Sequence, residues 1–366
     1  MQIFILLPII LIFAPLALFL SFAPYMTRET ISFGVTVSEY NYYTPIVRKL
    51  RSTFATVSLI AYGVVILVCL YLLRSANEES TAIITGVGTI IFIMYWAAIS
   101  ILFHFKMKKI KETLPSETGP QKVRIDTTFR LNKLTYSNYW YLIHIAIIAA
   151  IAVISILNYE ALPGVIPMKY DLQGNVTSSV PKTYFSVLAI NLIQLGMIAL
   201  LMFVNWSIKT SKQQLSTSDP VKFAAKNIQF RRKWSLFTII TGLLLTILFA
   251  FMQINMFVPN LPLLSVISFT IPAVIVLGAM FLSLTGRQGG GKIRNHQVQS
   301  ERSKEQPVND DQYWKLGFIY FNRNDPSFTI EKRYGIGWTI NFAHPLCWVL
   351  FLLIIAIVVV SKVLSK

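Results

Sequence analysis

Eight apolar stretches, each close to the length of helix that crosses a bilayer, constrain this chain more than any other feature. They fall near residues 3 to 24, 54 to 73, 82 to 103, 139 to 158, 184 to 206, 235 to 257, 263 to 284 and 346 to 364. A hydrocarbon core about 30 Å thick takes roughly 20 apolar residues of helix. Lipid offers the backbone no hydrogen bonds, so such stretches must be helical. The expected fold class is an all-α polytopic membrane protein of about eight transmembrane helices, with a small cytoplasmic antiparallel β module.

Charge gives the orientation. Of the 33 Lys and Arg, 28 lie in the alternate segments 25–53, 104–138, 207–234 and 285–345, and five in the others. That asymmetry assigns the first set to the cytoplasm and both termini to the outside, with the bacterial cytoplasmic membrane as the expected location. The net charge of +17 is therefore read as a topogenic signal, with the lipid bilayer as first partner and no direct nucleic-acid binding expected. The two cysteines, Cys69 and Cys347, fall within or beside spans, where they cannot staple an outer loop.

Six regions follow: a three-helix region (1–138), a helix pair around an outer loop (139–206, loop 159–183), a second pair with a basic lead-in (207–284), a linker (285–310), a β-rich cytoplasmic module (311–345) and a last helix (346–366). The linker is rich in Gly, Gln, Ser, Lys and Arg and reads as flexible. In the module, residues 313–321, 328–333 and 337–342 alternate like strands around a turn at 322–327. The run 30–37 alternates too, so the strand around Phe33 is available to join that sheet. A sheet this small must pack on something, and the helix ends offer the surface.

Candidate functional residues fall in three places. Pro167, Lys169, Tyr170, Asp171, Gly174 and Lys182 give the outer loop a proline-flanked extended piece, a glycine turn and three charges, the make-up of an ordered connector or of a ligand-contact site. His144 is the one titratable group well inside a span, and an ionisable residue there is a functional candidate by default. Asn191 and Gln194 lie three apart on one face of their helix; amides there hold helices together or line a polar path. In the module, Trp314, Lys315, Asp325, Glu331, Lys332, Arg333 and Trp338 make a charged, aromatic face suited to a cytoplasmic regulator protein.

Enzymatic readings find little. Gly286 to Lys292 meets the glycine and lysine spacing of a phosphate-binding loop, but Ile293 stands where Ser or Thr would hold magnesium, and a membrane helix precedes it. No carboxylate pair shares a span, and no nucleophile motif or His/Cys cluster with metal-ligand spacing occurs. No metal and no cofactor are expected, and the reading leans against an enzyme.

The outer loop, with Leu162-Pro163, Ile166-Pro167, Tyr170, Gln173-Gly174 and Lys182, resembles that of the SdpI-related family of bacterial multi-pass membrane proteins of unknown function (a DUF1648-type loop). It departs from that pattern in carrying Lys169 where the family has His, and Asn175 where it has an acid. The run from Tyr313 to Gly317, through Asp325-Pro326-Ser327, Glu331-Lys332-Arg333 and Gly335 to Thr339, ending at Asn341-Phe342, resembles a second uncharacterised module, DUF5808-like. The resemblance implies envelope biology of the SdpI kind: sensing of, or protection against, an extracellular membrane-active peptide or envelope stress, passed to a cytoplasmic partner. The alternative is a transporter or transporter subunit moving a lipid-like or amphipathic molecule past His144, Asn191 and Gln194; a structural role in an envelope complex is a third.

Overall fold

A computed structural model describes residues 2–115, 132–170, 176–212, 220–258, 262–285 and 309–364. Helices occupy all eight apolar stretches: α1 (Gln2–Phe22), α3 (Pro45–Leu73), α4 (Glu78–Thr113), α5 (Tyr141–Leu157), α6 (Tyr184–Thr210), α7 (Pro220–Ile254), α8 (Pro262–Thr285) and α9 (Pro345–Leu364), with a single turn, α2 (Glu39–Tyr42), before α3. Six of them, α3 to α8, are long and apolar enough among the described residues to cross a membrane. The architecture is thus mostly helical and compatible with a multi-pass integral membrane protein, with six helices of that kind among the described residues.

Local chemistry marks several of the helix ends. The Asn77 side chain accepts from Ser80 N at the start of α4, and Thr183 and Ser186 form a capping box at the start of α6, each satisfying N–H groups that the first turn leaves orphaned. Pro45 opens α3, where its missing N–H costs nothing. Pro272 lies inside α8, which continues through it. The helices form two groups, α1 with α3 and α4, and α5 with α6, α7 and α8, which meet where α1 packs on α8.

Four antiparallel hairpins complete the fold: β1 (Ile31–Ser32) with β2 (Val35–Thr36), β3 (Val165–Tyr170) with β4 (Val176–Pro181), β5 (Trp314–Lys315) with β6 (Ile319–Tyr320), and β7 (Thr329–Glu331) with β8 (Trp338–Ile340). The β3–β4 hairpin caps one end of the bundle, where Leu162 and Ile166 pack with Val187 of α6 and with Met256. The other three meet at the opposite, module end.

The expected single module sheet is corrected here. Residues 313–321 are not one strand: Leu316 and Gly317 adopt positive φ (54° and 82°) and fold the run into β5–β6. The strand around Phe33 does not join that sheet but forms its own hairpin, turning through Phe33 (φ 49°) and Gly34 (φ 77°), the left-handed pair of a tight two-residue turn. The two turns meet tip to tip. A Cβ on Gly34 would lie 2.3 Å from the Gly317 carbonyl oxygen, so only glycine fits.

Candidate functional site at the docked module

The module end is where charge concentrates. Glu331 on β7 is fully buried and takes three donors: Asn227 Nδ2 at 2.6 Å and Arg231 Nη2 at 3.1 Å, both from α7, and Arg28, from the loop after α1. Arg231 is itself fully buried; its Nε donates to Asn227 Oδ1 at 2.7 Å and its Nη1 to the Ile208 carbonyl at 2.6 Å and Ser211 Oγ at 2.7 Å. One guanidinium thus caps the C-terminus of α6, where the helix dipole favours a cation, and neutralises a carboxylate that could not otherwise be buried. Glu331 therefore bridges the two helix groups, reaching the first through Arg28 and the second through Arg231 and Asn227.

Arg333, two residues beyond Glu331 and past the end of β7, makes a second cluster. It pairs with Asp310 and Asp311 and donates to the Gly34 carbonyl at 3.0 Å and Thr36 Oγ1 at 2.9 Å. Asp311 also accepts from Thr36 Oγ1 at 2.6 Å and from Lys111 of α4 at 2.8 Å. The Trp314 ring lies 5.4 Å from the Arg333 guanidinium. Burial pulls the Arg28 pKa down to about 10, and burial with Arg28 nearby pulls that of Arg333 to about 9. Both therefore stay charged at neutral pH, and the ion pairs stand.

Asp325 anchors a third cluster. Lys212, beyond α6, pairs with it at 2.6 Å and Tyr320 OH donates at 2.9 Å. Burial pushes this carboxyl up, but Lys212, Ser327 and Tyr320 outweigh it and hold its pKa below the ordinary carboxylate value. Backbone joins as well: Lys212 N donates to the Thr329 carbonyl at 3.0 Å and Thr329 Oγ1 to the Ser207 carbonyl at 3.1 Å, so β7 extends the end of α6. Trp338 rests on Phe230 of α7, centroids 5.5 Å apart.

Between these clusters Tyr334 is inserted against Phe33, Phe54 and Trp96. Its buried hydroxyl lies against Ser100 of α4 and near Tyr62 of α3. Burial raises the Tyr334 pKa well above its ordinary value.

The expected module residues thus divide. Asp325, Glu331, Arg333, Trp314 and Trp338 are brought into the dock, while Lys315 and Lys332 are exposed beside it. Their partners Arg28, Asn227, Arg231, Lys212, Asp310 and Asp311 were not singled out from the sequence. The Asn227–Arg231 spacing of one helical turn, at the head of an apolar stretch, was the available signal.

Inside the bundle, His144 Nε2 lies 3.0 Å from the Ile239 carbonyl of α7, an approach that Gly242 permits by having no side chain. Gln194 donates to the Thr246 carbonyl at 3.0 Å and Asn191 to that of Ile148 at 3.3 Å. Gln253 ties α7 to Ser155 of α5 and Asn191 of α6, both at 2.8 Å. Nearer the module, Asn205 bonds Asn138 at 2.7 Å and Ser235 at 2.6 Å. These rungs join α5, α6 and α7 at successive depths.

In the β3–β4 hairpin, Pro167 pairs with Ser179 and Lys169 with Ser178 across a register shift, and Tyr170 with Val176. Lys182 turns inward, donating to the Leu162 carbonyl at 3.2 Å and lying 4.8 Å from the Tyr159 ring. Asp171 and Gly174, the phosphate-loop-like run 286–292 and most of the expected linker lie outside the described residues.

Residues 323–348 match a family of unknown function, DUF5808. The match begins at the turn before Asp325 and ends in the first turn of α9, so it encloses Asp325, Glu331 and Arg333, one charged group from each cluster. It supports the C-terminal part of the sequence resemblance; no comparison supports the outer-loop part. No curated protein and no solved structure matches the chain.

Proposed function

We propose that this is a protein of the bacterial cytoplasmic membrane, with the module inside, that senses or protects against a membrane-active peptide or envelope stress of the kind the SdpI-related resemblance implies. The observation that carries this reading is Glu331, held at once by Arg28 from one helix group and by Arg231 and Asn227 from the other. A ligand that shifts α5 to α7 relative to α1, α3 and α4 must pull on that carboxylate. The rungs at Gln253, Asn191, Gln194 and Asn205 give such a shift a contiguous route from the β3–β4 end. A docked module with Tyr334 inserted among Phe33, Phe54 and Trp96, and a released one with that side chain withdrawn, would be the two states that a switch needs. A released module would offer Trp314, Trp338 and its charges to a cytoplasmic partner. Asn191 and Gln194 are engaged within the bundle, so we develop sensing rather than transport.

The test is a deletion strain challenged with membrane-active peptides and envelope antibiotics, and complemented with the intact gene, a version lacking residues 310–342, or Glu331→Gln. The reading expects rescue by the intact gene and altered or lost rescue by both variants at equal protein level. Full rescue by both, or no phenotype in the deletion strain, would overturn it.

A further inference from the structure

α3 starts and α4 ends at the module end, and the two helices pack side by side. Arg48 and Lys49 lie in the first turns of α3 and Lys106, Lys108 and Lys109 in the last turns of α4; all five are exposed. Among the described residues none of them pairs with a carboxylate. Cations in the first turns of a helix face the positive end of its dipole, so Arg48 and Lys49 are placed against their own electrostatics.

Behind them stands Arg51, only 4% exposed. Its Nη2 donates to the Tyr42 carbonyl at 3.0 Å and its guanidinium lies 3.7 Å from the Tyr42 ring centroid, while Nε and Nη1 have no partner. A buried cation without a counter-charge adds to the positive field of the collar in front of it. At 1.5 Å per residue, these residues lie roughly 5–9 Å beyond the apolar stretches 54–73 and 82–103, the depth of lipid headgroups. Exposed Phe105 of α4 sits beside Lys106, as interfacial aromatics do.

We infer that this collar is a binding site for anionic phospholipid headgroups, whose phosphates pair with basic side chains that no carboxylate of the described residues pairs with, although Glu112 on α4 and Glu29 and Glu39 beside Tyr43 lie close by. The inference rests on the membrane reading of the fold and not on the sensing reading. Each basic side chain held near an anionic surface adds roughly fivefold to affinity.

The test uses full-length protein in neutral detergent, titrated with phosphatidylglycerol or phosphatidylcholine, with bound lipid counted by native mass spectrometry. The expected result is a preference for phosphatidylglycerol of about tenfold or more, reduced to within about twofold by Arg48→Gln with Lys106→Gln, Lys108→Gln and Lys109→Gln. A control neutralises four exposed basic residues elsewhere at the module end, Lys209, Lys226, Lys233 and Arg323, and should keep the preference. No preference in the wild type, a preference that survives in the collar variant, or an equal loss in the control would overturn the site. Should the collar variant fail to fold, salt at about 0.5 M on the wild type serves instead, since it screens exposed charges beyond a few ångströms: a preference erased supports the site, and one unchanged overturns it.

Discussion

The two ends of the bundle share apolar packing and differ in what is added to it. At the β3–β4 end, Leu162, Ile166, Val187 and Met256 make an apolar contact, and Lys182 turns inward onto carbonyls and a tyrosine face. At the module end, ion pairs are added: the buried Glu331 with Arg28 and Arg231, and the buried Arg333 with the part-exposed Asp310 and Asp311. Apolar burial is non-directional and tolerates small shifts. A buried ion pair holds only at its own geometry, and losing one partner strands the other charge. The β3–β4 contact therefore tolerates small shifts, and the ionic part of the module contact does not.

The largest effect that could break this contrast is at Glu331. Glu331→Ala leaves Arg28 and Arg231 buried without their carboxylate, and the expected loss is about 3–5 kcal/mol, read as a fall in Tm and as new protease cleavage in 309–345. An undiminished Tm would show that the module end is not held by charge. Ile166→Ala is expected to cost about 2–4 kcal/mol but to open the β3–β4 hairpin alone, with the module still protected from protease. Module release in that variant would mean that the two ends are one cooperative unit. Gln253→Leu removes a rung that meets three helices, and the expected cost is about 1 kcal/mol by Tm in detergent. A much larger loss would place the rungs on a par with the ionic dock.

The smallest effect is acid sensitivity. Asp325 has a folded-state pKa below its ordinary value, so the unfolded or undocked chain binds the proton more readily. Its contribution is full above the ordinary carboxylate pKa of about 3.9 and is lost as pH falls through the lower folded value. Module protection followed by hydrogen exchange should therefore weaken below about pH 4, and Asp325→Asn should remove that part of the response.

The helices were legible in the sequence because lipid allows the backbone one solution: each of the eight apolar stretches is helical. The module was legible in content and not in register. Trp314 to Phe321 alternates like one strand, and the turn hides in Leu316-Gly317, where a single glycine gives a weak signal against a strong pattern. Glu331 and Arg333 stood out as charges among aromatics, but Arg28, Asn227 and Arg231 come from separate segments. In the sequence they register as topogenic charge or plain helix surface, because ion-pair partners have no fixed spacing along the chain. His144, Asn191 and Gln194 were found by depth in the membrane, which locates buried polar groups well and says nothing about which carbonyl each will meet.

The contact of Gly34 with Gly317 also bears on the order of assembly. Gly34 is made before most of the helices and Gly317 after α8, and Arg333 must then reach back to the Gly34 carbonyl. During synthesis the first hairpin therefore waits, its tip uncovered, until nearly every span is in place. Closure of that contact is a late, long-range event, possible only once the chain between the two glycines has brought the turns together.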